Sequence, residues 1–310
     1  MTWQPGASIA SLQQRAQFNS YLRHFFAQRF VMEVETPALS CAAVDDANLQ
    51  PVMASACDKP VYLHTSPEYP MKRLLAAGSG DIYQICKVFR DGEVGRRHNI
   101  EFTMLEYYRL GFDLKTLMDE VAQLVGDYLR IQRRIDLSYA QALKQYAQLD
   151  VFNLDDAQLR TRVNEFVGHE ISLSRDECLD IVMSHVVEPN LPADALVFIF
   201  NYPASQAALA NTFESSDGHH LAKRFELYVN GLELANGYHE LTDIIEQQSR
   251  FDQQAKSHHV TRPLDTHFLQ ALEHGLPDCS GVAIGLDRIL MLKQGASSIQ
   301  DVLSFDFSRA

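Results

Sequence analysis

Residues 85 to 109 read ICKVFRDGEVGRRHNIEFTMLEYYR, and the rest of the 310-residue chain can be understood around this stretch. An apolar strand leads into a loop with three arginines and one histidine, and a second strand of alternating aromatic and charged residues follows. The pattern has two interpretations. It is either a β-hairpin with a solvated, charged tip, or a clamp whose guanidinium and imidazole groups surround the oxygens of a phosphate or carboxylate.

The second strand of this stretch carries a carboxylate in an unusual place. Alternate residues of a strand lie on one face, and here that face holds Ile100, Phe102, Met104, Glu106 and Tyr108. A carboxylate among large apolar groups is costly to bury unless it meets a cation. We therefore expect Glu106 to have a cationic partner.

The composition is that of a folded globular protein, with 46% hydrophobic residues and modest numbers of glycines and prolines. The formal net charge is −13, and no block of lysine or arginine occurs, which disfavours non-specific binding of nucleic acid. Five widely spaced cysteines argue against a disulfide framework and against a zinc site. The sequence has no signal-peptide segment and no apolar run long enough to span a bilayer, so we expect a cytoplasmic protein.

Apolar spacing predicts two helices, one over residues 8 to 28 and one over Leu114 to Ile131. Between them, a β-branched run from residue 31 predicts a short strand that ends at Pro37, and residues 40 to 60 predict a loop. Residues 135 to 205 contain mixed helical segments and loops. We interpret them as a helical insertion in a single domain that covers residues 1 to 310.

A third helix is predicted after the loop. Thr65 or Ser66 can cap this helix, which has Pro67 at its start and ends at Gly78. Glu68 has two interpretations in this setting. It can complete a capping box with Thr65, or it can contribute a carboxylate to a functional site.

An acidic hairpin is predicted around Asn230-Gly231, a dipeptide typical of two-residue β-turns. If these residues form the turn, Glu226, Tyr228 and Glu233 lie on one face. Two carboxylates this close repel each other unless a cation lies between them, and Mg²⁺ bound to substrate phosphates fits this need. Exposed carboxylates on an edge hairpin are the alternative interpretation.

The distal part of the same hairpin carries further polar residues. Asn236, Tyr238 and Glu240 share the face opposite to the first carboxylates, if the pairing continues without interruption. A bulge or break near Gly237 is needed to bring both sets to one site.

With these motifs in order, the chain resembles the catalytic domain of the class II lysyl-tRNA synthetases. It resembles still more closely the stand-alone paralogues of that domain, which act on elongation factor P. The resemblance covers nearly the whole chain and implies an α+β fold, a class II aminoacyl-tRNA synthetase-like catalytic domain with a mainly antiparallel sheet flanked by helices. It rests on five segments: Arg29 to Pro37, Thr65 to Gly78, Phe89 to Tyr108, Glu226 to Asp243 and Gly275 to Leu292.

The resemblance implies that ATP, with Mg²⁺, converts an amino acid into an aminoacyl adenylate and releases pyrophosphate. Arg90 and Arg288 match the two arginines implied in catalysis, of which Arg90 bridges the substrate carboxylate and the α-phosphate. Phe102 and Arg288 match the pair that holds the adenine ring between them. Glu226 and Glu233 match the magnesium ligands. Further ATP contacts are implied for Arg97, His98, Asn99, Glu233, Leu234 and Gly285.

The resemblance also implies a pocket for a diamino acid. Converging carboxylates suit such a substrate because each stabilises an ammonium group that leaves water. Glu106, Tyr108 and Glu240 match the residues that bind the distal ammonium. The other substrate contacts implied are Glu68 and Ser66 near the second amino group, Asn236 at the carboxylate, and Ala283 at the pocket wall.

Three positions depart from the synthetase pattern. Phe30 stands in place of a glycine in the first motif, and Gly92 stands in place of a glutamate, with Glu93 one place later. Ala283 stands in place of a glycine, as it does in the stand-alone paralogues, and this implies a preference for (R)-beta-lysine over alpha-lysine. One methyl group typically gives about 1–3 kcal/mol of discrimination, so this preference is implied by the resemblance more than by physics.

The acceptor implied by the resemblance is a lysine side chain of elongation factor P. Only a few residues precede the first predicted helix, so we expect no anticodon-binding OB domain and no tRNA acceptor. A homodimer is also implied, with the segment that ends at Pro37 in its interface. Two alternatives are a class II small-molecule amino-acid ligase, which Glu106 and Glu240 disfavour for an acidic substrate, and a catalytically inactive regulatory paralogue, which the retained Arg90 disfavours.

Overall fold

The structure is a computed structural model, and it describes residues 3–42, 49–170, 173–257 and 263–310. Within these ranges the chain forms nine α-helices and twelve β-strands. The helices are α1 (Ile9–Ala27), α2 (Glu68–Ala76), α3 (Leu114–Leu129), α4 (Tyr139–Ala142), α5 (Asp156–Val167), α6 (Arg175–Val182), α7 (Ile244–Ser257), α8 (Thr266–Gly275) and α9 (Leu286–Gln294). The strands are β1 (Met32–Glu33), β2 (Leu39–Ser40), β3 (Met53–Ala56), β4 (Lys59–Leu63), β5 (Ile82–Phe89), β6 (Glu101–Leu110), β7 (Arg134–Ser138), β8 (Leu196–Pro203), β9 (Thr212–Glu214), β10 (His220–Val229), β11 (Leu232–His239) and β12 (Cys279–Gly285).

Internal contacts divide the chain into two compact units. The first unit comprises Met1–Asp113 and Glu240–Ala310, and the second comprises Leu114–His239. Both combine helices with β-strands, and most strand pairs are antiparallel, which confirms the predicted α+β class. The single-domain organisation stays a prediction. None of the helices in the described ranges has the length and apolar character needed to cross a membrane.

In the first unit, the stretch that opened the sequence analysis forms the antiparallel pair β5–β6. Strand β1 pairs with β5 in parallel, and β12 pairs with β6 in antiparallel orientation. The register places Gln84 of β5 and Ala283 of β12 directly opposite Glu106 of β6, one on each side. Directly paired residues share a face of the sheet, so these three side chains form a row.

Helix α1 confirms the prediction for residues 8 to 28, with Ser8 as its N-cap. Its aromatic face packs on the β5–β6 pair, because the Phe26 ring stacks on Tyr83 with 4.3 Å between centroids and meets Tyr107 at 5.0 Å. Arg15 of the same helix forms an ion pair with the buried Asp287. These contacts hold α1 against the strands that carry the predicted clamp.

The loop predicted for residues 40 to 60 is wrong where strands form, at Ser40, at Met53–Ala56 and from Lys59 onward, and residues 43–48 lie outside the described residues. Strands β2, β4 and β3 form a small sheet in that order. The turn between β3 and β4 is made by Cys57 and Asp58, which both have positive φ angles. These strands are short and largely exposed, so they lack the alternating apolar pattern by which a strand is recognised. The strand predicted after Val31 is also shorter, and only Met32–Glu33 pairs.

The second unit holds a sheet with the order β11-β10-β8-β7, in which β9 also pairs with β10. Helix α3 confirms the prediction for Leu114 to Ile131. The predicted insertion, residues 135 to 205, contains α4, α5 and α6, but strand β8 and most of β7 also lie in it. Strand β8 was missed because its buried residues are almost continuously apolar, and short runs of this kind do not distinguish a strand from a helix.

Candidate active site

Helix α2 places the first carboxylate of the candidate site. Its N-cap is Pro67, which offers no side-chain cap, and the Glu68 amide lies 3.5 Å from the Ser66 hydroxyl oxygen. The predicted capping box with Thr65 is wrong. Instead, the Glu68 carboxylate accepts a hydrogen bond from Lys72 Nζ at 2.7 Å, one helical turn later.

Strand β6 supplies the second carboxylate. Glu106 is only 3% exposed, and the Tyr108 hydroxyl donates a hydrogen bond to its Oε1 at 2.6 Å. Among the described residues, Oε2 of Glu106 has no hydrogen-bond partner. Burial and the negative charge of Glu68 raise the pKa of the Glu106 carboxyl to about 8. The carboxyl therefore lacks the direct cationic partner that its position on the strand led us to expect.

Glu240 is the third carboxylate, and it is also buried. Its Oε2 lies 2.6 Å from Lys72 Nζ, so one ammonium group bridges Glu68 and Glu240. Burial raises the pKa of Glu240 to about 7, although the positive charge of Lys72 acts in the opposite direction. Burial also opposes the charge on Lys72, but the two carboxylates outweigh it and raise the pKa of the lysine.

We call Glu68, Glu106, Glu240 and Lys72 the carboxylate cluster, and all four belong to the first unit. Three carboxylates and one ammonium have a net charge of −2 when all are ionised. Lys72 was not identified from the sequence. The available signal was its spacing of four residues from Glu68 on a predicted helix, which is common for surface ion pairs and does not indicate a buried one.

Two small residues of β12 shape the space beside this cluster. Ala283 lies directly opposite Glu106, so its methyl group belongs to the wall beside that carboxyl. Gly281 lies opposite Tyr108, and a Cβ atom at this position would be 2.3 Å from a carbon of the Tyr108 ring and 2.6 Å from Glu240 Oε1. Only a glycine fits there without moving two members of the predicted pocket.

Gln84 is a second residue that sequence reasoning missed. Its side chain is buried opposite Glu106, and its Oε1 has no hydrogen-bond partner among the described residues. A buried amide oxygen without a donor is costly. The row of Gln84, Glu106 and Ala283 thus holds two buried acceptor oxygens that have no donor among the described residues.

The loop after β5 holds the predicted anion-binding residues. The Arg90 guanidinium lies 5.0 Å from the centre of the Phe102 ring, and its NH1 is 3.6 Å from the Glu93 carboxylate. Gly92 has a φ angle of +78°, a conformation that L side chains rarely adopt. The departure at Gly92 therefore has a structural reason: the loop turns there, and the following glutamate reaches Arg90.

The other side of this loop brings two predicted ATP contacts together. Arg288, in the first turn of α9, lies with NH2 2.7 Å from Nε2 of His98. A guanidinium can only donate, so the imidazole accepts and is neutral in this contact. Burial and the positive charge of Arg288 lower the pKa of His98. Gly285 is the N-cap of α9, and Arg97 is exposed in the loop.

The side chain of Asn99, a predicted ATP contact, is engaged within the chain. Its Nδ2 donates to the main-chain oxygen of Glu101 at 2.7 Å, and its Oδ1 accepts from the main-chain nitrogen of Phe307 at 3.0 Å. Both ends of the amide are thus engaged within the chain. This side chain therefore fixes the end of the loop.

In the second unit, the predicted acidic hairpin is present, with Asn230-Gly231 at its turn. Tyr228 pairs with Glu233 as expected. The pairing then shifts between Leu227 and Tyr228, so that Leu234 is the extra residue and Glu226 lies opposite Asn236. The expected bulge near Gly237 is therefore misplaced. The actual bulge moves Asn236 to the face of the two glutamates.

Glu226 is held by a dense set of donors. The Tyr202 hydroxyl donates to its Oε2 at 2.6 Å, the Tyr228 hydroxyl donates to the same oxygen, and Arg224 donates to Oε1. Nε of Arg224 also donates to Asn236 Oδ1 at 3.2 Å. Tyr202 and Arg224 were not identified from the sequence, although Arg224 stands two residues before Glu226 on the same strand face.

A cavity of about 310 Å³ in the second unit is lined by both predicted metal ligands, Glu226 and Glu233, and by Asp180 and Glu188 from the helical segment. No group of three or more His, Cys, Asp or Glu residues within the described ranges is arranged as a complete metal site. Mg²⁺ needs only one or two carboxylates when substrate phosphates and water supply the other oxygens. Oε1 of Glu226 accepts a hydrogen bond from Arg224 and has a second lone pair for a metal ion, so the two glutamates fit this role.

Comparison with known proteins identifies the family of the chain. The sequence profile described as tRNA synthetases class II (D, K and N) matches residues 5–309. Proteins named Elongation factor P--(R)-beta-lysine ligase from Salmonella gallinarum (strain 287/91 / NCTC 13346) and Pectobacterium carotovorum subsp. carotovorum (strain PC1) are 45% and 44% identical to the chain, over 100% of its length and 98% of theirs. A protein of the same name from Salmonella arizonae is 44% identical over the same shares. The chain therefore belongs to the class II tRNA synthetase family, and to the branch of that family with these ligases.

Proposed function

We propose that the chain is an ATP-dependent ligase that activates (R)-beta-lysine as an adenylate and transfers it to a lysine side chain of elongation factor P. The observation that carries this proposal is the carboxylate cluster of the first unit. An ammonium group of the substrate favours the ionised form of each carboxyl beside it, and the cluster then has a net charge of −2, which complements an amino acid with two ammonium groups. The names of the similar proteins support the identity of the amino acid and of the acceptor.

Substrate binding uses the buried carboxylates as counter-ions. Glu106, Tyr108 and Glu240 receive the distal ammonium, and the unpartnered Oε2 of Glu106 is the acceptor that gains a donor. Glu68, with Ser66 beside it, lies near the second amino group. Asn236 keeps the role that the resemblance implies, a contact with the substrate carboxylate.

The first chemical step joins two anions. A carboxylate oxygen of the amino acid attacks the α-phosphorus of ATP and forms a new P–O bond. The bond between the α-phosphorus and the oxygen that bridges to the β-phosphate breaks, and pyrophosphate is released. Catalysis then consists largely of positioning and charge neutralisation. Arg90 holds the carboxylate and the α-phosphate, while Arg97, His98 and Arg288 bind the nucleotide and its phosphates. Phe102 supplies an aromatic face for the adenine.

Glu226 and Glu233 would hold Mg²⁺, which neutralises phosphate charge when bound. The chain's own contribution there is to orient the ligands. Tyr202 and Tyr228 fix Oε2 of Glu226, and Arg224 holds Oε1 so that the carboxylate plane is set before the nucleotide enters.

The second step forms an amide. The ε-amino group of the acceptor lysine attacks the carbonyl carbon of the adenylate, the C–N bond forms, AMP leaves with the electron pair of the C–O bond, and the amine loses a proton. No protein nucleophile is needed in this step, because the acceptor amine attacks the adenylate directly.

A homodimer belongs to the same proposal. Phe30, at the position where the synthetases have glycine, is 94% exposed and has a φ angle of 56°. Met32 and Leu39 are exposed beside it in the same segment. An aromatic side chain in full contact with solvent and in a left-handed conformation is costly unless a partner covers it. We expect sedimentation to show a dimer for the wild-type protein and weaker dimerisation, with a larger monomer fraction, for Phe30→Asp.

The test of the ligase proposal has two parts. The first is exchange of labelled pyrophosphate into ATP, which we expect with (R)-beta-lysine and far less with aspartate, while no tRNA is charged. The second is mass spectrometry of elongation factor P after incubation with the protein, ATP and (R)-beta-lysine, where one lysine is expected to gain one lysyl unit. Exchange with aspartate alone, or no exchange with any diamino acid, would contradict the proposal.

A further inference from the structure

Lys72 is the one member of the carboxylate cluster to which neither the family resemblance nor the proposed reaction assigned a role. Its side chain is 1% exposed, and its Nζ lies 2.7 Å from Glu68 Oε1 and 2.6 Å from Glu240 Oε2. The two carboxylates come from segments about 170 residues apart in the sequence. Lys72 therefore joins two of the three carboxylates that the proposed reaction assigns to the substrate's amino groups.

A structural ion pair is the simplest explanation of such a contact, but the position of Lys72 argues for more. A buried ion pair is seldom a net source of stability, because desolvation of both charges offsets their attraction. Here the ammonium is sequestered among three acidic groups that a substrate must reach. An apolar set in place of all three groups would serve the fold as well, whereas removal of the lysine alone leaves two carboxylates that repel one another.

We propose that Lys72 is a positioning and specificity-determining residue, whose fixed positive charge offsets the repulsion between Glu68 and Glu240 and orients both carboxylates for the two ammonium groups of the substrate. This inference rests on the proposed function, because it concerns the same diamino-acid pocket. Without the lysine, three buried carboxylates would face each other with no cation. They would take up protons, and a diammonium substrate would have to displace those protons in order to bind.

The charged groups that act most strongly on Lys72 are carboxylates. Glu68 faces it from α2, Glu106 and Tyr108 act on the same cluster from β6, and Glu240 reaches it at the point where the chain returns to the first unit. The Cys279 thiol of β12 interacts electrostatically with both Glu240 and Lys72, and its pKa is raised mainly by burial.

The remaining neighbour comes from α8, where the Phe268 ring centre lies 5.9 Å from Lys72 Nζ. An aromatic face tolerates a cation but brings no formal charge. The titratable groups that surround Lys72 in the described part of the chain, namely Glu68, Glu106, Tyr108, Glu240 and Cys279, are thus all acidic, and loss of the lysine charge disfavours the ionised form of each.

Lys72→Gln separates charge from geometry. Its amide can donate one hydrogen bond to each carboxylate, so it can keep the bridge while it loses the charge. We expect KM for (R)-beta-lysine in pyrophosphate exchange to rise about tenfold at pH 7, as for a shift of one pKa unit, with kcat within about threefold of wild type. The ratio of the KM of Lys72→Gln to the wild-type KM is expected to fall to threefold or less by pH 8.5.

Two further variants complete the test. Lys72→Arg keeps the charge, and we expect its KM to follow the wild-type pH profile. Lys72→Met, an unbranched apolar side chain of similar length, is expected to shift the profile as Lys72→Gln does, and it serves if the Gln variant does not fold. Lys115→Gln is the matched control, because Lys115 also pairs with a carboxylate four residues away, at 3.3 Å, but on the surface.

The outcomes separate the two proposals. The role of the Lys72 charge is overturned if the KM of both uncharged variants differs from the wild-type KM by the same factor at every pH, or does not differ at all. The ligase activity stands in that case. An Arg variant with the profile of the Gln variant also overturns it. If the wild-type protein exchanges pyrophosphate with no diamino acid, the proposed function fails, and the inference for Lys72 fails with it.

Discussion

Glu106→Gln is expected to stabilise the fold at alkaline pH and, at the same time, to weaken substrate binding. The substitution removes one charge from the buried cluster but keeps an oxygen that can accept from Tyr108. The pKa of Glu106 is raised in the folded protein, so between pH 4.5 and about 8 the folded chain binds a proton more tightly than the unfolded chain. The contribution of this proton to stability is present at low pH and is lost as the pH rises to 8.

The size of the effect follows from the same shift. Moving a carboxyl pKa from 4.5 to about 8 corresponds to roughly 5 kcal/mol between the protonated and ionised forms. Local rearrangement and entry of water reduce the cost of ionisation, so we expect about 2–4 kcal/mol. Glu106→Gln should therefore have a free energy of unfolding similar to that of wild type at pH 5 and higher by this amount at pH 9.

Urea unfolding at pH 5, 7 and 9 measures this difference, with m-values checked for equality between the two proteins. Glu101→Gln is the matched control, since Glu101 lies on the same strand but is exposed and pairs with Lys87 at 3.5 Å. A difference between Glu106→Gln and wild type that stays constant from pH 5 to pH 9 would refute the reasoning. The same variant should raise KM for (R)-beta-lysine, because Glu106 Oε2 is the acceptor assigned to the ammonium.

Three further substitutions test neighbouring parts of the site. Gly281→Ala introduces a Cβ only 2.3 Å from the Tyr108 ring, so it should lower the free energy of unfolding by about 1–3 kcal/mol and raise KM for the amino acid, as measured by urea unfolding and pyrophosphate exchange. Ala283→Gly removes the methyl group opposite Glu106 and should raise kcat/KM for alpha-lysine relative to (R)-beta-lysine by a factor of about 10–100. An unchanged ratio would show that Ala283 does not determine this specificity. Arg90→Ala should abolish adenylate formation while the circular dichroism spectrum stays native, and substantial remaining exchange would contradict its assigned role.

Much of the architecture was predictable because it depends on local periodicity. The spacing of apolar residues identified α1 and α3, and the Asn230-Gly231 turn determined the first pairs of the acidic hairpin, because turn type sets register close to the turn. The antiparallel pair β5–β6 was predictable for the same reason. Strands β3 and β4 were missed since short, exposed strands carry no such period.

The family motifs also located the parts of the candidate site in the sequence, but they did not establish how its side chains are held. Glu226 was identified as a carboxylate in the right pattern, whereas its two tyrosine donors are known only from the structure. Asn99 was interpreted as a ligand contact, and its amide proved to be engaged on both sides by the main chain.

The sequence by itself determined which residue types are present for the chemistry: the cationic loop, the paired acidic residues and the glycines that leave space. Only the tertiary structure decided their pairing. Lys72 lies between Glu68, four residues away, and Glu240, 168 residues away, and no local pattern relates the second pair. The one-residue bulge opposite Leu227 and Tyr228 was equally hidden, although it moves Asn236 to the face of Glu226. Both depend on how distant segments pack, and a period of two or 3.6 residues carries no information about that packing.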